Sequence, residues 1–503
     1  MKRISLQIMI VVLFSKCLGF VKEILLAYFF GASGVTDAYI ISYTIPTTIF
    51  AFISNGVTIG FVPIYSRVFG EQGFGAANRY TNNVSNILLL MASVVVGVTL
   101  LATEPIVRLF ASGFNAETMA LAVGLTRISV FSVYFTAILV VFSNFVRIHG
   151  YYVIPAAVGL SMNVGIILAI VFSARSSPYL LGVGYVLAVA SQVLLLLPVI
   201  RKTGYRYQRA FNVKDENVKT MLLMSLPVIA GTCINEINVV VDRTIASSIA
   251  VGGISALSYA SRFNGFVSSV FIEPLSTVLY PMISKMVVEQ DIRGLKTSVV
   301  EAITIVGLLS IPATAGMMVF SEEIVRALFG RGAFADEAVV MTSNALLFYS
   351  VGVVAFGLRG ILARVFYAFQ DTRMPMINAS IAVSVNIVLN VVFSRYLGVG
   401  GLALATSVSG IISALLMWIT LRKRIGLGTR TLGLSLVKIA SSSLVMGLIA
   451  RGSYHALVRY VHGHLPLILA VLVGGLTYTV LICCMKIPEV DRVIRLFRNK
   501  LLG

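Results

Sequence analysis

Residues 5–50 read SLQIMIVVLFSKCLGFVKEILLAYFFGASGVTDAYIISYTIPTTIF. An apolar run of helical length is followed by a Gly-Ala-Ser-Gly break, and a second apolar run begins after it. About 20 apolar residues in a helix cross the hydrocarbon core of a bilayer. The same alternation of long apolar run and short polar break continues to the C-terminus. Of 503 residues, 58% are hydrophobic and only 12% are charged, with a mean hydropathy of +0.95. That is too little polar surface to cover a soluble protein of this length. The short period-two segments of a transmembrane β-barrel are absent. The expected class is an all-α polytopic membrane protein.

Apolar runs set against charged or turn-rich breaks predict fourteen spans: 5–30, 35–66, 80–103, 120–146, 153–174, 179–200, 220–247, 254–284, 297–320, 338–368, 376–394, 400–421, 432–450 and 465–485. The distribution of basic residues tests that count, because cytoplasmic loops carry the excess of Lys and Arg. With the N-terminus inside, 24 of the 39 Lys and Arg fall in cytoplasmic segments, 7 in outer loops and 8 within spans. The inner set ends with Lys486, Arg492, Arg495, Arg498 and Lys500. One miscounted helix would invert the alternation from that point onward. The expected topology therefore has both termini cytoplasmic, in the inner membrane. The formal net charge of +19 belongs to these loops, not to a nucleic-acid-binding face.

The chain also resembles itself at a shift of about 218 residues. Gly34, Ala38, Pro63 and Ser66 match Gly252, Ala256, Pro281 and Ser284. VRLFASGFNAE from Val107 matches VRALFGRGAFADE from Val325. Two pseudo-symmetric six-helix lobes are expected, 1–218 and 219–425, followed by two further helices and a basic tail in 426–503. Six spans per lobe is an even number, so the lobes share orientation, which is transporter architecture.

Lys16, Lys22, Arg127, Arg243, Arg262, Arg359, Arg364 and Lys438 lie inside the predicted spans. Each costs at least about 2.5–3.5 kcal/mol at a helix centre, so each needs water or a partner. Lys16 and Lys22 are six residues apart on the first helix and project roughly 120° apart. They read as anion hooks for a phosphate-bearing substrate, or as the partners of Glu23 and Asp37 in internal salt bridges. Arg262, in the second repeat, adds a guanidinium suited to phosphate oxygens. Arg127, Arg364 and Lys438 sit near span ends and read as structural. The cysteines, Cys17, Cys233, Cys483 and Cys484, lack metal-ligand spacing. His462 and His464 form an isolated pair in an outer loop. No Gly-Lys dipeptide occurs, hence no ATP-binding phosphate loop. Catalytic fingerprints are missing as well, so a transporter is expected, not an enzyme.

Several stretches carry a family resemblance. SKCLGFVKEILLAYFFGASGVTDAY (15–39), FVPIYSR (61–67), VDRTIASS (241–248), GGISALSYASR (252–262), LFGRGAF (328–334) and FYAFQDTRMP (366–375) resemble the motifs of the MurJ (MviN) family of lipid II flippases, in the multidrug/oligosaccharidyl-lipid/polysaccharide exporter superfamily. The resemblance extends over about 430 residues. It implies two lobes around a cationic cavity and a lipid groove at the last two helices. It also implies alternating-access transport of an undecaprenyl-diphosphate-linked peptidoglycan precursor to the outer leaflet, by a monomer. The family's basic positions fall on Lys16, Lys22 and Arg262, and its acidic position on Asp37. Two departures stand out. Lysine replaces the common arginine at 16 and 22, and Phe50 stands where another cavity arginine is common. They leave open a flippase for a different polyprenyl-diphosphate-linked glycan, of the capsule, exopolysaccharide or O-antigen type. A drug antiporter of the same superfamily would need an acidic cavity.

Asp242, Asn386, Asn390 and Thr406 offer hard oxygen ligands and form a candidate Na⁺ site for a coupling ion. The alternative makes Asp242 a partner of Arg243 and the asparagines interhelical hydrogen-bond donors and acceptors. No other cofactor is expected.

Overall fold

The computed structural model describes residues 2–271, 273–427, 430–461, 463–485, 487 and 490. His462 and the basic tail residues Lys486, Arg492, Arg495, Arg498 and Lys500 lie outside the described residues. Among the described residues there are seventeen helices and no strand. The chain packs as two compact units, Met1–Ser255 with Arg331–Ala338, and Ala256–Gly330 with Val339–Gly503.

The first unit holds α1 (Lys2–Phe30), α2 (Gly34–Leu101), α3 (Thr103–Phe110), α4 (Ala116–Ser129), α5 (Ser132–Ile148), α6 (Val153–Ser173), α7 (Tyr179–Lys202) and α8 (Glu216–Ile249). The 68 residues of α2 would reach about 100 Å, three times the thickness of a bilayer core. They do not run straight. Gly73 has φ 78° and ψ −179°, which breaks the helical path. α2 therefore contains the predicted run 35–66 and all but the last two residues of the predicted run 80–103. The predicted run 120–146 is divided between α4 and α5, which meet at a 43° bend. The core is aromatic: Phe50, Phe61, Tyr65, Tyr80, Phe142 and Phe145 from α2 and α5 pack together with small and branched residues. Phe50 is 1% exposed. It fills this core and does not line an open cavity.

Hydrogen bonds fasten α2 to α8. Ser225 Oγ donates to the Gly56 carbonyl at 2.8 Å, and Arg67 Nη2 donates to Asn217 Oδ1 at 2.9 Å. The segment between α7 and α8 has no helix of its own, so its backbone groups need outside partners. Four asparagines on α2 supply them. Asn78 and Asn82 donate to the Arg206 carbonyl at 2.7 and 3.2 Å, and Asn86 donates to the Ala210 carbonyl at 2.8 Å. Asn83 takes both backbone groups of Asn212, at 2.9 and 2.7 Å. Asn78, Asn82 and Asn86 recur every four residues along one face of α2, and Asn83 lies beside them, three residues before Asn86.

The second unit holds α9 (Gly253–Phe271) from Ala256, α10 (Glu273–Val288), α11 (Ile292–Val319), α12 (Ser321–Leu328), α13 (Asp336–Ala368) from Val339, α14 (Arg373–Leu397), α15 (Val399–Ile425), α16 (Arg430–Leu457) and α17 (Leu465–Cys484). The predicted run 254–284 corresponds to α9 and α10. The last two helices are fastened to each other and to the rest of the unit by polar contacts. Lys438 Nζ donates to the Met485 carbonyl at 2.9 Å, putting a cation on the negative end of α17. Tyr478 donates to the Leu308 carbonyl at 2.8 Å, and Arg451 pairs with Glu323. Lys438 thus has the structural role its position near a span end suggested. By length and composition, nine helices among the described residues can cross a membrane, or eleven if each bent pair counts as one span. The molecule is an all-helical, multi-pass membrane protein.

Candidate functional site

α1 brings Lys16, Lys22 and Glu23 into the first unit. Lys16 is half-buried. Lys22 Nζ lies 3.0 Å from Glu23 Oε1, and their side chains are 17% and 5% exposed. Adjacent residues on a helix do not face one another, so the flexible lysine stem folds back to reach the carboxylate. The buried Glu23 charge is thereby compensated. Of the two salt bridges expected from the sequence, this one forms.

Asp37 does something else. Ser33 caps the start of α2 with its side chain, accepting from the Thr36 N–H at 3.4 Å, and Asp37 follows in the first helical turn. Its carboxylate is 1% exposed. Oδ2 accepts from the Gly252 N–H at 2.8 Å and Oδ1 from the Ser255 N–H at 2.7 Å. Both donors belong to the turn that opens α9, where helix N–H groups lack partners within the helix. Asp37 thus clamps the corresponding turn of the second repeat, and Ser255 is its own counterpart at the shift of 218 residues. Arg243 Nη1 braces the same turn by donating to the Ile254 carbonyl at 3.2 Å.

A pair of reciprocal contacts surrounds this clamp. In the first repeat, the loop after α3 docks on the end of α8: Gly113 N–H donates to Ser247 Oγ at 3.1 Å, and Thr244 Oγ1 donates to the Leu109 carbonyl at 2.7 Å. In the second repeat, the loop after α12 docks on the end of α1: the Ala333 N–H donates to the Tyr28 carbonyl at 2.8 Å. A Cβ on Gly113 would lie 2.3 Å from Ser248 Cα, and one on Gly332 would lie 2.3 Å from the Tyr28 carbonyl oxygen. Each loop therefore needs a glycine at its contact. The self-similarity of VRLFASGFNAE and VRALFGRGAFADE signalled these loops as a repeat. It could not signal that each loop rests on the first helix of the other repeat.

Arg262 is exposed on α9 and belongs to the second unit. On α14, Asn386 and Asn390 are buried. Asn390 Nδ2 donates to Asn386 Oδ1 at 2.9 Å, and Asn386 Nδ2 donates to Thr406 Oγ1 at 3.3 Å, joining α14 to α15. Asp242 is in the first unit, where it accepts from Asn238 at 3.3 Å. Asn386, Asn390 and Thr406 offer the hard oxygens that Na⁺ prefers. Two of the second unit's oxygens, Asn386 Oδ1 and Thr406 Oγ1, already accept hydrogen bonds.

The family model described as lipid II flippase MurJ matches residues 26–471. A curated relative from Thermotoga maritima, named a probable lipid II flippase MurJ, is 28% identical over 494 residues and 96% of each chain is covered. A solved lipid II flippase MurJ in an inward closed conformation is similar at a TM-score of 0.82 and 26% identity, over 94% of this chain and 97% of that one. An inward-facing multidrug resistance MATE family transporter of the MOP superfamily shares the fold at a TM-score of 0.70 and 16% identity, over 82% of this chain and 94% of that one.

Proposed function

Because the chain belongs to the lipid II flippase MurJ family, we infer that it carries lipid II, the undecaprenyl-diphosphate-linked peptidoglycan precursor, from the inner to the outer leaflet of the inner membrane. It is a transporter and catalyses no chemical step. The family match across residues 26–471 is the observation that carries this reading. The physical problem it must solve is charge. Burying a phosphate-sized ion in hydrocarbon has an idealised cost on the order of 20 kcal/mol, so the diphosphate needs cations along a hydrated path. Lys16 and Lys22 on α1 and Arg262 on α9 are the residues assigned to it, with Glu23 holding Lys22 at rest. A diphosphate displaces a single carboxylate from an ammonium by offering more charge.

The topology that fits this role has fourteen spans with both termini cytoplasmic. The alternation of basic loops supports it, as does the division of α2 at Gly73. It makes the Asp37 clamp and the two reciprocal loop contacts the outer gate, closed while the substrate enters from the inside. Transport is then alternating access by a single chain, whose two repeats supply the two sides, without ATP.

Complementation of a strain depleted of its lipid II flippase tests the reading. The wild-type chain should restore growth. Lys16→Ala, Lys22→Ala and Arg262→Ala should each abolish rescue at normal membrane levels. Failure of well-inserted wild-type protein would overturn the substrate, and full rescue by all three variants would overturn the anion hooks.

The reading extends to a coupling ion. Asp242 supplies the charge, and Asn386, Asn390 and Thr406 the neutral oxygens, of a Na⁺ site. Asp242→Ala and withdrawal of sodium should lower transport to the same level and not add to one another. Transport indifferent to both removes the ion from the cycle.

A further inference from the structure

A groove of about 450 Å³ opens beside the start of α8, lined by Val213, Lys214, Glu216, Lys219, Leu222, Leu223 and Leu226. Its two ends differ in chemistry. Lys214 and Lys219 are exposed at one end, together with Glu216. Leu222, Leu223 and Leu226 are 43%, 59% and 57% exposed at the other. Residues 216, 219, 223 and 226 recur at intervals of three and four, so they share one face of α8. The rise from Lys219 to Leu226 is about 10 Å, the depth over which an amphiphile passes from headgroup to chain.

The rim is fixed before any ligand arrives. Asn83 holds both backbone groups of Asn212. Asn212 Oδ1 accepts from the Lys214 N–H at 3.0 Å, and Asp215 Oδ1 accepts from the Asn217 N–H at 2.8 Å. Within the groove, Lys219 reaches Glu216 only at 3.8 Å, with both side chains largely exposed. A pair that exposed contributes little, and the site keeps a net positive charge of one.

We propose that this groove binds one anionic glycerophospholipid, with its phosphate between Lys214 and Lys219 and an acyl chain along Leu222, Leu223 and Leu226. Charge complementarity selects the occupant: a zwitterionic lipid offers no net charge to the lysines, and free phosphate makes no use of the leucines. The assignment uses residues at the start of α8, none of them given to the transported substrate, so the two readings fail separately.

The test is native mass spectrometry of the purified full chain, delipidated and titrated with phosphatidylglycerol or phosphatidylcholine. The first phosphatidylglycerol should bind about tenfold more tightly than phosphatidylcholine. Lys214→Ala/Lys219→Ala should abolish that preference. Leu223→Gln should weaken binding of both lipids. The control Arg422→Ala/Lys423→Ala, at exposed basic residues elsewhere, should leave the preference intact. Competition by inorganic phosphate should be negligible, and displacement by it would mean a simple anion site and overturn the lipid. Equal affinity for the two lipids in the wild type, or an unchanged preference in the double lysine variant, would also overturn the proposal.

Discussion

Asp37→Ala is expected to abolish rescue of a flippase-depleted strain while the protein still accumulates in the membrane. The carboxylate accepts two backbone N–H groups from the turn that opens α9. Hydrogen bonds to a charged group contribute about 1.5–3 kcal/mol each, so the pair is worth roughly 3–6 kcal/mol. Moving a two-state equilibrium from 1:99 to 99:1 takes about 5.5 kcal/mol. Losing the clamp therefore displaces the balance between closed and open outer gates across most of its range. Asp37→Asn makes the sharper test. Its side chain has one acceptor oxygen, and its NH₂ would oppose the second N–H. The amide variant should resemble the alanine variant in the growth assay, despite its near-identical shape to the native side chain. Wild-type growth of the Asp37→Asn strain would show that the second acceptor is dispensable and that the clamp does not hold the gate.

Long apolar runs are local patterns, and they form helices within a few residues of the expected positions. Where the correspondence is looser, the cause is local backbone geometry. α2 continues through two predicted runs because Gly73 changes direction in one residue, and α4 and α5 divide a run that hydropathy joins. The pairing of Lys22 with Glu23 could be read from adjacency. The partners of Asp37 could not, because they are backbone groups 215 and 218 residues away. Backbone N–H groups are the same at every position, so no residue type in the sequence marks them. Phe50 makes the reverse point. As a replacement for a family arginine it suggested an altered cavity, yet its burial against α2 and α5 is decided by neighbours the motif does not contain. The asparagines of α2 stand in the sequence as NRYTNNVSN (78–86), but nothing in that stretch shows that they hold the shape of a segment more than 120 residues later.

Three glycine substitutions separate the gate contacts from ordinary backbone strain. Gly332 has φ +66° and no room for a Cβ, Gly113 has no positive φ but equally little room, and Gly150 has φ +85° with open space around it. A left-handed non-glycine residue costs about 1–2 kcal/mol, and overpacking costs about 1–3 kcal/mol. Gly150→Ala carries the first term alone, Gly113→Ala the second alone, and Gly332→Ala both. Thermal stability in detergent should therefore fall least for Gly150→Ala or Gly113→Ala and most for Gly332→Ala, by roughly 2–5 kcal/mol. Growth rescue should follow a different order, because only Gly113 and Gly332 touch the first helix of the opposite repeat. Both should fail to rescue, while Gly150→Ala should rescue at a loss of stability comparable to that of Gly113→Ala. Hydrogen exchange would locate the damage, with faster exchange at 28–37 for the Gly332 variant and at 244–255 for the Gly113 variant. If rescue instead tracks stability alone across the three, the reciprocal loop contacts are packing and not a gate.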